Sequence, residues 1–187
     1  MPLGATETYT FRPIGGQFVD IVLPRQGILT LCEVEVFAEK EDKGSKRNLA
    51  LGHNAVQSST YEDHATAEKA TDGNKESVYK KFSCTHTKYE QNPWWRVDLM
   101  DVYQVTKVVI ANRGDCCEER INGAQIRVGH CTNNNGNNNQ LAEVILSIPL
   151  GGTKTFVFQP ISGRYVNIYL PGDGKILTLC EVELYAD

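Results

Sequence analysis

The chain has no long apolar run, no paired-cysteine metal motif and no surplus of positive charge. No stretch approaches the roughly 18–20 apolar residues with which a helix crosses a bilayer, so no membrane insertion is expected. Six cysteines are present, Cys32, Cys84, Cys116, Cys117, Cys131 and Cys180. None belongs to a C-x-x-C pair, which argues against a structural zinc site. Lys and Arg number 19 against 23 Asp and Glu, a net charge of −4. That balance offers no general attraction to nucleic acid or to an anionic membrane. The opening MPLGATETYTFRP lacks the basic and apolar regions of a signal peptide. The chain is therefore expected to be a mature form or a piece of a longer one. Long helical periodicity is also missing, apart from a turn expected at HATAEKA (64–70).

What is there begins with a repeat. Residues 28–35 read ILTLCEVE, and residues 176–183 read the same eight letters. The match runs backwards with one gap, from Pro13-Ile14, Gly16, Val19, Ile21 and Leu23-Pro24 onto Pro160-Ile161, Gly163, Val166, Ile168 and Leu170-Pro171. Residues 1–38 thus look like the last two strands of a domain, and 48–187 like a complete domain of the same kind. Between them EKEDKGSKR (39–47) is charged, lacks apolar residues and reads as a linker. With 187 residues and 41% hydrophobic content, the chain can hold one packed core and an appendage. A two-strand piece cannot bury a core alone, so the appendage is expected to lie on the domain, exchange with a neighbour or stay poorly ordered.

The larger segment reads as short strands at 105–111, 124–129, 143–148, 153–158, 164–170 and 177–186, rich in β-branched and aromatic residues. Asn, Gly and Pro clusters separate them, NNNGNNN (133–139) being a polar loop. Many short strands with turn signals predict an all-β antiparallel sandwich.

The most informative segment is NRGDCCEER (112–120), expected as a loop at one end of the sandwich, where binding groups commonly sit. Arg113 and Arg120 offer fixed forks of donors, and Asp115 can hold one of them by a charge-assisted bond. His86, in SCTHT, adds one donor or one acceptor. Such a comb suits sugar hydroxyls, which both donate and accept. Cys116 and Cys117, if joined, would make a flat sulfur plate for a sugar's C–H face. Two bland arrangements compete: each cysteine bonded elsewhere, and the arginines forming ordinary surface ion pairs.

Here the sequence resembles the F-type lectins, the fucolectins of eel agglutinin type. Their signature is His, 26 residues, Arg-x-Asp, four residues, then Arg or Lys. His86, Arg113, Asp115 and Arg120 match it at the required spacing. NPWWRVDL (92–99), NRGDCC (112–117), GRYVNIYLP (163–171) and LCEVE (179–183) also look like family blocks. The resemblance covers 48–187 in full and 1–38 as a partial C-terminal repeat. It implies a jelly-roll sandwich of the galactose-binding-like class. It implies that His86, Arg113 and Arg120 bind the 4-hydroxyl, 3-hydroxyl and ring oxygen of α-L-fucose. A Cys116–Cys117 disulfide would stack near C1 and C2, and Tyr79 would line a pocket for the 6-methyl group.

The resemblance further implies a structural calcium ion. Side chains of Asp72, Asn74, Ser83 and Glu181 and carbonyls of Lys69 and Cys180 would hold it. Oxygen-only ligands suit calcium, although DGN alone is also a common turn. A Cys84–Cys180 disulfide is implied nearby. Another bridge frequent in the family is absent, since Ala142 and Phe158 stand at its positions; Cys32 and Cys131 are left unassigned. The implied partners are fucosylated glycans, in a secreted homo-oligomer such as a trimer serving innate immunity. An enzyme is not expected. Glycosidases of the usual kind need two flanking carboxyl groups, and Asp115 sits between arginines that keep it ionised. The alternative is a discoidin-like adhesion module that binds protein or lipid. It accounts for the sandwich but not for the His-Arg-Asp-Arg spacing.

Overall fold

The structure, a computed structural model, describes residues 7–9, 19–36 and 47–186. Contacts divide the chain into two units, Met1–Asp42 and Lys43–Asp187. Of the charged stretch 39–47, only Arg47 is among the described residues. In the first unit no described residue lies in a strand, and the apolar Val22, Ile28 and Leu31 are exposed. The strand expected from ILTLCEVE is thus absent at 28–35, because a strand needs a partner for its backbone groups.

The described residues of the second unit form an antiparallel β-sandwich of six strands: β1 (Ala55–Gln57), β2 (Trp94–Ala111), β3 (Gln125–Gly129), β4 (Gln140–Val144), β5 (Thr153–Tyr169) and β6 (Glu181–Ala186). The ladder runs β1-β2-β5-β3-β4, and β6 also pairs with β2. One edge of β2 carries β5; its other edge carries β1 at residues 95–97 and β6 at 105–111.

The expected strands 153–158 and 164–170 are halves of one strand, and 105–111 is the second half of β2. Both long strands bend at a shared corner. The ladder skips between Asp98 and Tyr103 and again between Val105 and Lys107. Met100 adopts a left-handed φ of 63° there. The Asp98 carboxylate pins the corner, accepting from the Arg164 fork at 2.7 and 2.8 Å and from the Met100 N–H at 2.8 Å. Strands that turn a corner through bulges belong to both layers of a sandwich.

Two other boundaries shift. The strand expected over 143–148 ends at Val144, and Ile145 and Ile148 are buried outside the ladder. A short apolar run does not say whether its burial comes from a sheet. The strand expected over 177–186 begins at Glu181, because residues 177–179 pair with the 85–87 segment instead. The Thr85 N–H donates to the Leu179 carbonyl at 2.7 Å and the Thr87 N–H to that of Leu177 at 3.1 Å. In return the Leu179 and Leu177 N–H groups donate to the hydroxyls of Thr85 and Thr87 at 3.0 and 2.9 Å. This exchange fixes His86 beside the last strand.

Strand alternation sends Trp95, Val97, Leu99, Val108, Ile110, Ile126, Val166, Ile168 and Leu184 into one core. The Trp95 indole N–H finds the Ala67 carbonyl at 2.9 Å, so its polar edge is satisfied inside. Ala142 and Phe158, where the family bridge is missing, pack against this core. A satellite cluster of Ala65, Tyr79, Cys84, Ala111 and Cys180 lies apart from it. Cys84 and Cys180 are joined across 96 residues of sequence. Closing a loop of that length constrains the unfolded chain by about 4–5 kcal/mol in the chain-entropy account. The double variant C84A/C180A is expected to lose about 2–5 kcal/mol in chemical denaturation. An unchanged midpoint would show that the bond constrains nothing.

Candidate functional site

Past the end of β2, the chain enters the 112–120 loop. Asn112 anchors it: its side-chain N–H groups donate to the carbonyls of Glu118 and Ile148 at 3.1 and 2.9 Å. Its side-chain oxygen accepts from the Arg113 N–H at 2.9 Å. Gly114 lets the loop press against its neighbour. A Cβ there would collide with the Ser77 side chain and stand 3.0 Å from the Gly151 Cα. The Gly114 N–H donates to the Ser77 carbonyl at 2.8 Å, which brings the loop alongside Tyr79.

Arg113 is buried and gripped in bidentate fashion. Its Nε and Nη2 donate to the two oxygens of Asp115 at 2.6 and 3.0 Å. Its guanidinium carbon lies 4.5 Å from the Tyr79 ring centroid. The pair holds the Asp115 carboxyl at a pKa of about 2, and the Tyr79 N–H adds a 3.3 Å bond to the same carboxylate. Nη1 takes no part in these bonds and is left for another acceptor. The Tyr79 hydroxyl donates to Glu62 at 2.7 Å, and burial together with Glu62 raises its pKa well above the ordinary phenol value. What Tyr79 offers outward is therefore ring rather than hydroxyl.

His86 has a defined tautomer, because carbonyls only accept and guanidinium groups only donate. Its Nδ1–H donates to the Thr87 carbonyl at 2.7 Å, and Nε2 accepts from Arg120 Nη1 at 3.2 Å. Burial, and then the charges of Arg120 and Arg113, lower its pKa below the ordinary histidine value. Among the described residues no carboxylate pairs with Arg120. Burial and the like charge of Arg113 lower its own pKa. Two cationic forks thus converge with one carboxylate between them, and that carboxylate is committed to Arg113.

Cys116 and Cys117 are bonded to each other, with Cys117 in the left-handed region at φ 65°. Neither bland alternative raised above is realised: the cysteines do not bond elsewhere, and Arg113 is buried with its ion pair. Tyr79, His86, Arg113, Cys116 and Arg120 line one cavity of about 330 Å³. Cys117 is half-buried beside it and caps the following turn, Glu118–Ile121.

Sequence reasoning missed Tyr61, Tyr89 and Ile176, which line the same cavity. It also missed Glu62 under Tyr79. The Tyr61 ring lies 4.8 Å from His86 and its N–H donates to the His86 carbonyl at 2.9 Å. Nothing in the local letters marks these residues, since only loop placement brings them in.

The expected calcium ligands Ser83 and Glu181 adjoin the Cys84–Cys180 bond in sequence. Glu181 is fully buried, and neither carboxylate oxygen has a hydrogen-bond partner. Burial and the negative charge of Asp72 push its carboxyl up to about 8. Ser83 is fully buried too. The side chains of Asp72 and Asn74 shape the turn, accepting from the N–H groups of Asn74 and Glu76 at 2.9 and 3.1 Å. An orphaned carboxylate beside a second acid, among oxygen donors only, fits a hard cation. Among the described residues no group of three or more His, Cys, Asp or Glu gathers as a metal cluster, and the proposed set has only two carboxylates. The Lys69 amine lies 3.9 Å from Asp72.

Comparisons with known proteins agree with this architecture. A family model described as a NedA-like, galactose-binding domain matches residues 69–168. Fucolectin-4 of the eel Anguilla japonica is 51% identical over 148 residues, covering 75% of this chain and 80% of that protein. A fucolectin from striped bass (Morone saxatilis) serum superposes with a TM-score of 0.74 at 46% identity over 77% of this chain. The chain spans about half that lectin's length, the match covering 48% of it. A fucose binding module of Streptococcus pneumoniae gives a TM-score of 0.64 at 29% identity, over 76% of this chain and 99% of the module.

The His86 geometry predicts a titration. NMR should report a pKa below 6.5, the ordinary histidine value. The unfolded chain then binds the proton more readily than the fold does. The stability owed to neutral His86 is full above 6.5 and falls as pH drops towards the folded value. A measured pKa at or above the ordinary value would refute the stabilisation of neutral His86 by burial and the two arginines.

Proposed function

The chain belongs to the fucolectin family of F-type lectins, and from that premise we propose that it binds terminal α-L-fucose on glycans. It is a carbohydrate-binding lectin domain rather than an enzyme, as its relatives are. The observation that carries the fucose reading is the convergence of His86, Arg113, Arg120, Tyr79 and the 116–117 disulfide on one cavity.

Each group has a role in this reading. A sugar hydroxyl placed between Arg113 Nη1 and Arg120 accepts from both cations and donates its O–H to His86 Nε2, in exchange for the Arg120 Nη1–H that this nitrogen accepts in the free site. That exchange requires His86 neutral, which its surroundings favour. The remaining arginine donors reach a second hydroxyl and the ring oxygen. Asp115 orients Arg113 without touching sugar. The sulfur pair supplies a polarizable surface for the C–H face of the ring. Tyr79 borders the 6-methyl pocket with its ring, its hydroxyl proton already given to Glu62, so a 6-hydroxyl finds no donor in it. Burying a hydroxyl unpaired costs about 1–3 kcal/mol, and galactose carries one where fucose has methyl.

Calcium is part of the proposal. Asp72, Asn74, Ser83 and Glu181, with the carbonyls of Lys69 and Cys180, would hold the ion. It would neutralise the buried Glu181 and tie the 72–83 loop to β6. One site on a shallow cavity binds weakly, so a secreted homo-oligomer would gain avidity for fucosylated surfaces. Defence against microbes bearing such sugars is a role that suits it. Two disulfides fit an oxidising, extracellular setting.

Immobilised fucose is expected to retain the protein, free L-fucose to elute it, and galactose at equal concentration to fail. Equal elution by both would end the 6-methyl argument. Arg120→Ala is expected to lower fucose affinity more than about tenfold with little change in melting temperature, because Arg120 has no carboxylate partner to orphan. Retained affinity would remove Arg120 from the site. For the metal, EDTA should lower the melting temperature and added calcium should restore it. Indifference to both would refute the calcium claim.

A further inference from the structure

We propose that Tyr89 is a second-sugar platform: its exposed ring stacks on the hexose or N-acetylhexosamine that carries the fucose. The proposal rests on the reading that fucose fills the His86 cavity, and it names what selects among fucosylated glycans.

Three observations converge on this residue. First, Tyr89 lines the same cavity as His86 and Cys116, yet it is 75% exposed, so its ring stands at the mouth rather than in the wall. Tyr61 is also exposed, but its ring is engaged with His86. Among the described residues the Tyr89 hydroxyl has no hydrogen-bond partner.

Second, its backbone is held on both sides. The Lys88 N–H donates to the Ser59 hydroxyl at 2.8 Å. Glu90 exchanges two backbone bonds with Lys175, at 2.9 and 2.8 Å. The Glu90 carboxylate accepts from the hydroxyls of Ser58 and Ser59, both at 2.6 Å. The chain is therefore ordered through a residue whose side chain adds nothing to the core.

Third, Gly174 makes room for the ring. It has a left-handed φ of 62°, and a Cβ there would collide with the Tyr89 hydroxyl and ring carbons. The ring thus lies across bare backbone, which sets its direction. A pre-positioned aromatic with only two side-chain torsions loses little entropy on binding. The apolar C–H face of a pyranose is a fitting surface for it. A monosaccharide confined to the cavity would leave this ring in water, whereas the sugar linked to fucose must leave through the mouth.

Calorimetry on the full chain tests this with methyl α-L-fucoside and with a trisaccharide of α-L-fucose on lactose. The wild type should bind the trisaccharide more tightly by about three- to tenfold, the ordinary worth of one aromatic contact. Tyr89→Ala should bring that ratio to about one, and Tyr89→Phe should keep it, because the ring and not the hydroxyl makes the contact. A wild-type ratio of one, an unchanged ratio in Tyr89→Ala, or a proportional loss of both ligands would each overturn the proposal. Absence of fucoside binding by the wild type would instead bring down the fucose reading and this inference together.

Discussion

Two guanidinium groups stand in one cavity with a single carboxylate between them, and the surrounding chemistry follows from how that carboxylate is committed. Both oxygens of Asp115 are taken by Arg113, and one also accepts the Tyr79 N–H. Arg113 is thereby rigid, and Arg120 keeps its charge without a carboxylate partner, one of its donors resting on His86 Nε2. A third cation would be costly so close by, which is part of why His86 stays neutral and can accept. The cavity therefore presents more donors than acceptors, but not donors alone. A neutral, oxygen-rich ligand meets that balance better than a carboxylate or a cation would.

The loop that carries Tyr79 links the two chemical regions. It lies between Asn74 and Ser83, both in the proposed calcium set, and Cys84 follows at once. The Cys84–Cys180 bond places Ser83 next to the strand bearing Glu181. An ion there would fix both ends of the loop while staying away from the sugar. Its effect on binding would be indirect, through the placement of Tyr79 under Arg113 and against Asp115. A metal and a ligand would thus couple through about ten residues of backbone rather than through a shared atom.

The sequence made some of this legible and hid the rest for identifiable reasons. His86, Arg113, Asp115 and Arg120 are readable because their spacing is a property of the chain itself. So is the alternation of Trp95, Val97 and Leu99, whose burial follows from the two-residue period. The continuity of β5 was not readable, because Pro160 and Gly163 look like breaks while the ladder passes through them at a corner. Tyr61, Glu62 and Tyr89 were not readable as site residues either. They reach the cavity only after loops separated in sequence have been placed by the sheet.

The repeated octapeptide shows how far local letters can decide a structure. At 176–183 Leu177, Leu179 and Val182 are all at 0% exposure, Cys180 is bonded to Cys84, and the segment closes into β6. At 28–35 the same letters leave Ile28 at 92% and Leu31 at 52% exposure, with Cys32 a free thiol and no strand. Intrinsic propensity is identical in the two copies, so it cannot be the cause of the difference. The cause is the receiving surface: β2 from Val105 to Ala111, the hydroxyls of Thr85 and Thr87, and the thiol of Cys84. A β-strand of this composition is half of an interaction. The information that makes residues 181–186 a strand therefore resides as much in residues 84–111 as in the strand itself.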